Sequence, residues 1–198
     1  MDAFEALKNR KTIRKYTTQE ISKKDLEEIF TAGSWAPSIH NWQPWRFMVV
    51  HEEAKKNDII KLLETPPDTF LTGAKIILKE NAKILRQAPY VVLVFNDAKF
   101  SDRIKKVLGK DYYLTGFAGE MQSIAAAIQN ICIAATTKNI GTAWFIMPIM
   151  IGGLIKTSMG DKSNYSLAAV LALGYPNESG IATKRKPLKE ILSYDKPF

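Results

Sequence analysis

Between residues 10 and 14 the chain reads Arg-Lys-Thr-Ile-Arg, three cations and a hydroxyl within five positions. In an extended segment successive side chains alternate, so Arg10, Thr12 and Arg14 would face one side. Guanidinium groups grip phosphate oxygens through paired hydrogen bonds, and a hydroxyl adds another. That is the chemistry of an anion site. A solvated basic turn after a short helix has the same composition, and taken alone the cluster reads as such a turn.

A second group runs Ala36-Pro37-Ser38-Ile39-His40-Asn41-Trp42-Gln43-Pro44-Trp45. Two prolines stiffen it. Ser38, Asn41 and Gln43 place short hydrogen-bonding groups among apolar and aromatic neighbours. Such a loop can hold a flat heterocycle, with amides at its edges and apolar groups at its faces. The alternative is a packed structural loop in which Ser and Asn satisfy turn backbone.

Other chemistries have less support. The single cysteine, Cys132, leaves no intramolecular disulfide framework and no cysteine-cluster zinc site. It lies in an apolar helical stretch and reads as a buried, inert thiol. The two histidines, His40 and His51, suggest no metal site and read as surface or packing residues. No strand leads into a G-x-G-x-x-G turn or a P-loop. The formal charge of +8 is scattered rather than blocked, which argues against a nucleic-acid partner and for a mostly solvated surface. The N-terminus lacks a secretory core, and the longest apolar run, 143–155, is broken by Pro148, Gly152 and Gly153 and is shorter than the about 20 residues that span a bilayer. The expectation is a cytoplasmic protein with no membrane partner.

These groups need elements to carry them. A short helix capped by Asp2 opens the chain. A second is capped by Ser22, with Asp25 in a capping box, Ile21 and Leu26 as a staple, and Gly33 as its stop. Strands are expected at 45–50, 90–96, 141–146 and 166–173, and helices at 55–63, 74–86, 116–138 and 153–158. The run Tyr90 to Asn96 is apolar throughout and suits a central, doubly covered strand. The Ala-rich helix is apolar on most faces and belongs in the core or a subunit interface. Residues 99–110 read as basic and irregular. No linker divides the chain, so one domain over 1–198 is expected.

Taken together and in order, the motifs are more specific. R-K-T-I-R-K-Y resembles the R-[RK]-[ST]-x-R-x-[FY] segment of the nitroreductase family of FMN enzymes. A-P-S-I-H-N-W-Q-P-W-R-F is similar to that family's A-P-S-x-x-N-x-Q-P-W-x-F loop. The helix containing Gln129-Asn130 leads to Gly141-Thr142-Ala143-Trp144 as the family's does. L-G-Y-P followed by Lys184-Arg185-Lys186-Pro187-Leu188 resembles its C-terminal segment. Residues 52–88 match nothing nameable. Thr12 stands where serine is commoner, and His40 where a small residue is usual.

The resemblance implies an α+β fold with a central, mostly antiparallel sheet surrounded by helices, in an intertwined homodimer with FMN at the interface. Arg10, Lys11, Thr12 and Arg14 would hold the phosphate and ribityl chain, and Arg14 could reach the pyrimidine edge. Pro37, Ser38, Ile39, Asn41 and Gln43 would line the flavin from the other subunit. Backbone around Ala143 and Trp144 would meet the ring near N5, and Lys184 and Arg185 would return to the phosphate. Flavin N5 would do the chemistry, with no catalytic side chain, as NADH or NADPH reduces it and a small acceptor such as a nitroaromatic or quinone reoxidises it in ping-pong order. Phe70, Tyr112, Tyr113 and Phe117 are candidates to cover the open flavin face, although core or interface packing fits each as well. Alternatives are a specialised enzyme of the same fold, dehalogenase-like or flavin-cleaving, and a flavin carrier or sensor with little turnover.

Overall fold

A computed structural model describes residues 1–195 and residue 197. Four strands form one sheet: β1 (Trp45–Val50), β2 (Tyr90–Asn96), β3 (Gly141–Phe145) and β4 (Ser166–Gly174), in the order β1-β2-β4-β3. Every neighbouring pair is antiparallel. All seven residues of β2 are buried, as its unbroken apolar sequence requires of a strand covered on both faces. A bulge opposite Val94 and Phe95 lets Ala168 slip out of register, so Phe95 faces Leu167 while Val94 faces Ala169.

Alternation along the strands feeds two apolar layers. Val91, Leu93 and Phe95 meet α3 (Glu53–Glu64), α4 (Thr72–Gln87) and α7 (Gly152–Ser158) through Ile59, Leu78 and Ile155. Val92, Val94 and Leu171 meet α2 (Lys23–Ser34) and α6 (Tyr113–Thr137) through Ile29, Ile128 and Ile131. The expected α+β architecture is therefore present, and the stretch 52–88, which matched no motif, supplies the helical cover of one sheet face.

Local capping signals hold at the first two helix starts. In α1 (Ala3–Asn9) the Asp2 carboxylate accepts from Glu5 N, and the Glu5 carboxylate accepts from Asp2 N, a full capping box. At α2 Ser22 Oγ accepts from Asp25 N but donates to the Asp25 carboxylate, so the reciprocal half of the expected box is absent. Asp25 instead pairs with Lys138 at the end of α6.

Three expectations need correction. Gly33 does not stop α2; it lies inside the helix, where an added Cβ would stand 2.7 Å from Ile131 Cγ1. It is a close-approach glycine between α2 and α6. Residues 99–110 are not irregular: α5 spans Lys99–Leu108, followed by a 3-10 turn at Lys110–Tyr112. The long helix begins at Tyr113 rather than at 116. Among the described residues no helix is long and apolar enough to cross a membrane.

Candidate cofactor-binding site

The segment after α1 lies along the outer edge of β3. Ile13 N donates to Thr142 O at 2.9 Å, Thr12 bridges Thr142, and Thr17 N donates to Tyr175 O at 2.8 Å. Ile13 and Tyr16 are buried in the core, and the Tyr16 hydroxyl donates back to Ile13 O. Burial pushes the Tyr16 phenol well above its ordinary range, so it is a neutral structural donor. With Ile13 turned inward, its neighbours face outward from a fixed edge.

What they face is a cleft of about 450 Å³, whose walls include Arg10, Lys11, Thr12, Arg14 and Arg185, with Phe4, Leu7 and Ile181 as apolar sides. Arg10, Thr12 and Arg185 also line an adjoining cavity of about 380 Å³ with Trp144, Gln129, Cys132 and Thr142. The two cavities share walls and make one groove along the β3 edge. None of Arg10, Arg14 and Arg185 has an ion-pair partner among the described residues. Lys11 Nζ donates to Ser179 O, and Arg185 donates to Thr183 Oγ1. The nearby carboxylate of Glu178 accepts from Arg14 N at 2.6 Å.

Three guanidiniums, an ammonium, a threonine hydroxyl and a glutamine amide form a donor-rich set suited to a phosphate and a polyol. The apolar sides and Trp144, 43% exposed, suit a flat ring. The residues present thus fit the FMN that the motifs led one to expect. Ala143 is buried with its side chain in the core, so only its backbone is available to a ligand. Lys184 is exposed beside the groove but is not part of its wall.

Pro37, Ser38, Ile39, Asn41 and Gln43 are elsewhere. Their loop enters β1, the opposite edge of the sheet from β3, about 14 Å away across three strand spacings. Ile39 N donates to Ser123 Oγ at 3.0 Å, and the bare Cα of Gly119 gives room to the Ile39 side chain. Those contacts lie toward the start of α6, whereas Gln129 in the groove is ten residues beyond Gly119, about 15 Å along the helix. The loop is internally tied: Gln43 N donates to Ser38 Oγ at 3.1 Å and Gln43 Nε2 to Asn41 Oδ1 at 3.0 Å. His40, Asn41 and Gln43 all have positive φ, 44°, 56° and 49°. Such conformations cost energy and persist where the surroundings over-determine them. One chain therefore does not bring the two motif clusters together.

The sequence named Gln129 and Thr142 only as motif residues and Cys132 only as an inert thiol, and gave none of the three a place in the groove. Gln129 carried a signal, as a polar residue within the apolar run from Ile124 to Ala135. Cys132 is buried as expected, and burial pushes its thiol up, partly offset by Thr142 and Arg10, but it also reaches the groove floor. Of the aromatic candidates, Phe70 packs against the core, while Tyr113 and Phe117 stack at the start of α6 with ring centroids 6.2 Å apart.

The chain is similar to known proteins both in sequence and in fold. The sequence profile of the nitroreductase family matches residues 7–175. An iodotyrosine deiodinase of Thermotoga neapolitana is 26% identical over 186 residues, covering 88% of this chain and 89% of the relative. A Bacillus subtilis protein named as an NAD(P)H nitroreductase, YfhC, is 24% identical, covering 93% of this chain and 89% of its own. A Desulfovibrio desulfuricans protein, assigned as a nitroreductase and crystallised in complex with FMN, superposes with a TM-score of 0.75 at 26% identity, covering 100% of this chain and 98% of that one. A BluB-like flavoprotein from Clostridium difficile 630 superposes at 0.80 with 24% identity over 99% of this chain and 100% of its own, a likeness of fold.

Proposed function

The chain belongs to the nitroreductase family, and from that premise we propose that it is a cytoplasmic, homodimeric FMN-dependent oxidoreductase that moves electrons from NADH or NADPH to small acceptors such as nitroaromatics or quinones. The observation that carries this reading is the groove along β3, where Arg10, Arg14 and Arg185 converge without carboxylate partners among the described residues. FMN, when bound, supplies a centre that accepts a hydride from a nicotinamide and passes electrons to an acceptor in a second, separate stroke.

The chain's own part is binding and positioning. Arg10, Lys11, Thr12 and Arg14 hold the phosphate and ribityl chain, with Arg185 closing from the tail and Lys184 adding charge from outside the groove wall. Cations around a phosphate dianion offset part of the cost of taking it out of water. A guanidinium near the pyrimidine edge favours a reduced, more negative ring electrostatically. Backbone at Ala143 and Trp144 flanks the ring, and Pro37, Ser38, Ile39, Asn41 and Gln43 cover it from the second subunit. That second-subunit arrangement is supported by the distance between the loop and the groove within one chain. The whole chain, 1–198, acts as one unit in this reading.

The test is anaerobic addition of NADH and of NADPH to the FMN-loaded protein. Loss of the oxidised-flavin absorption, restored by a nitroaromatic or quinone, is expected. Flavin that does not bleach with either donor would leave a carrier or sensor. The iodotyrosine deiodinases among the relatives favour one further reading, reductive removal of halide from a halogenated phenol. Halide release from such a substrate by the reduced protein would favour it.

A further inference from the structure

The cations of α5 contrast with several on α3 and α4. On those two helices several cations pair with acids: Lys55 with Glu52, Lys56 with Glu53, Lys83 with Glu80, Arg86 with Glu64. From Lys99 to Lys110 there are five cations, Lys99, Arg103, Lys105, Lys106 and Lys110, against one acid, Asp102. Lys99 approaches Asp97 at 3.7 Å, but Arg46 already holds that carboxylate at 2.7 Å. Arg103, Lys105, Lys106 and Lys110 have no ion-pair partner among the described residues.

This charge is attached to the strained loop. Phe100 of α5 is 7% exposed, and its ring stands 5.6 Å from the rings of both His40 and Trp42. The Arg103 guanidinium lies 5.8 Å from the Trp42 ring centroid, a cation–π contact that holds an exposed side chain near the loop. The start of α5 is fixed in turn by the buried Glu120 carboxylate, which accepts from Phe100 N and Ser101 N at 2.9 Å each. A basic helix is thus fastened to the segment that would cover the flavin.

We infer that Arg103, backed by the other α5 cations, forms a cationic rim that selects an anionic second ligand at the flavin pocket. The inference rests on the proposed FMN site, since that reading brings the loop to the flavin. Unpaired cations at a pocket mouth raise the local concentration of anions and weaken as salt rises. The shared chemistry is a carboxylate, sulfonate or phosphate on a small aromatic or heteroaromatic molecule. It can belong to the acceptor or to the extra phosphate that distinguishes NADPH from NADH.

The test is equilibrium binding to oxidised, FMN-loaded protein, followed by the shift in flavin absorption. Benzoate is compared with benzamide, and NADP+ with NAD+, in the wild type and in the Arg103→Gln and Arg103→Lys variants. The expected result is a preference of about tenfold for the more anionic member of at least one pair. That preference falls toward unity in Arg103→Gln and at high salt, and Arg103→Lys retains most of it. A preference within the benzoate pair assigns the anion to the acceptor; one within the NADP+ pair assigns it to the donor. An Arg103→Gln protein that takes up FMN normally and keeps both ratios overturns the rim while leaving the flavin site intact. Failure of the wild type to take up FMN is visible in the spectrum before any titration and removes the underlying reading as well.

Discussion

Arg14 projects from a segment held on both sides, by Ile13 N on Thr142 O before it and Thr17 N on Tyr175 O after it. Its backbone is fixed, so its guanidinium can contribute to binding without first ordering the chain. A hydrogen bond to a charged group contributes about 1.5–3 kcal/mol. Arg14→Ala should therefore weaken FMN about 10- to 100-fold in a fluorescence-quenching titration and slow reduction by the nicotinamide. Unchanged affinity and rate would remove Arg14 from the site. At this scale the types and spacing of Arg10, Thr12 and Arg14 fit a solvated turn as well as an anion site, and only the order of the motifs along the chain pointed to the groove they line. Thr142 and Cys132 were opaque, because they join the groove only through the pairing of β3 with the 10–14 segment.

Glu120 is the clearest case of an element that depends on a distant residue. It is fully buried and accepts from Phe100 N, Ser101 N and Asn96 Nδ2. Two of these are donors of the first turn of α5, which no side chain at its own N-cap, Ala98, can satisfy. The cap of α5 thus lies about twenty residues downstream, and nothing within 99–110 signals where the helix starts. Glu120→Ala should leave those donors unsatisfied and cost about 2–4 kcal/mol, with faster hydrogen exchange across α5 than across α3. A loss confined to global stability would contradict the local role. The helix ends at Lys138 behave differently. Its ammonium hydrogen-bonds Asp25 and Glu28, joining the end of α6 to α2. The Lys138 hydrogen bond, then that of Ser22, holds the Asp25 carboxyl below its ordinary range. A depressed carboxyl stabilises the fold at neutral pH and loses that contribution as pH falls through its folded value. Lys138→Met should accordingly melt below the wild type at pH 7, and the gap should narrow in acid. A gap that widens in acid would contradict the pairing.

Across the whole molecule, the groove has apolar sides that a single chain leaves in water. Phe4, Leu7 and Ile181 line it, and Leu188, Ile191 and Tyr194 continue an exposed apolar tail. Surfaces of this kind mark interfaces. Two-fold pairing would carry the Pro37–Gln43 loop of one chain onto the β3 groove of its partner. Mixed dimers test this. A chain carrying Arg10→Ala and Arg14→Ala is combined with one carrying Ser38→Ala and Asn41→Ala. If each site draws on both chains, one site receives both lesions and the other none, so half the sites regain wild-type FMN affinity. Recovery of none means that each site is built from a single chain. The sheet and its helical layers were legible because apolar periodicity is local. The division of the proposed site between two edges came only from the family resemblance, because the order β1-β2-β4-β3 arises from long-range pairing that no local pattern shows.

On the proposed reading, the Arg10–Arg14 groove with Arg185 recognises the phosphate of a flavin mononucleotide. The most direct measurement is equilibrium dialysis of the purified protein against FMN and against riboflavin, which lacks only that phosphate, read by visible absorption. Binding of one FMN per chain, at least about tenfold tighter than riboflavin, is the predicted result. Equal affinity for the two, or no retained flavin at all, would remove the phosphate from the role given to these arginines.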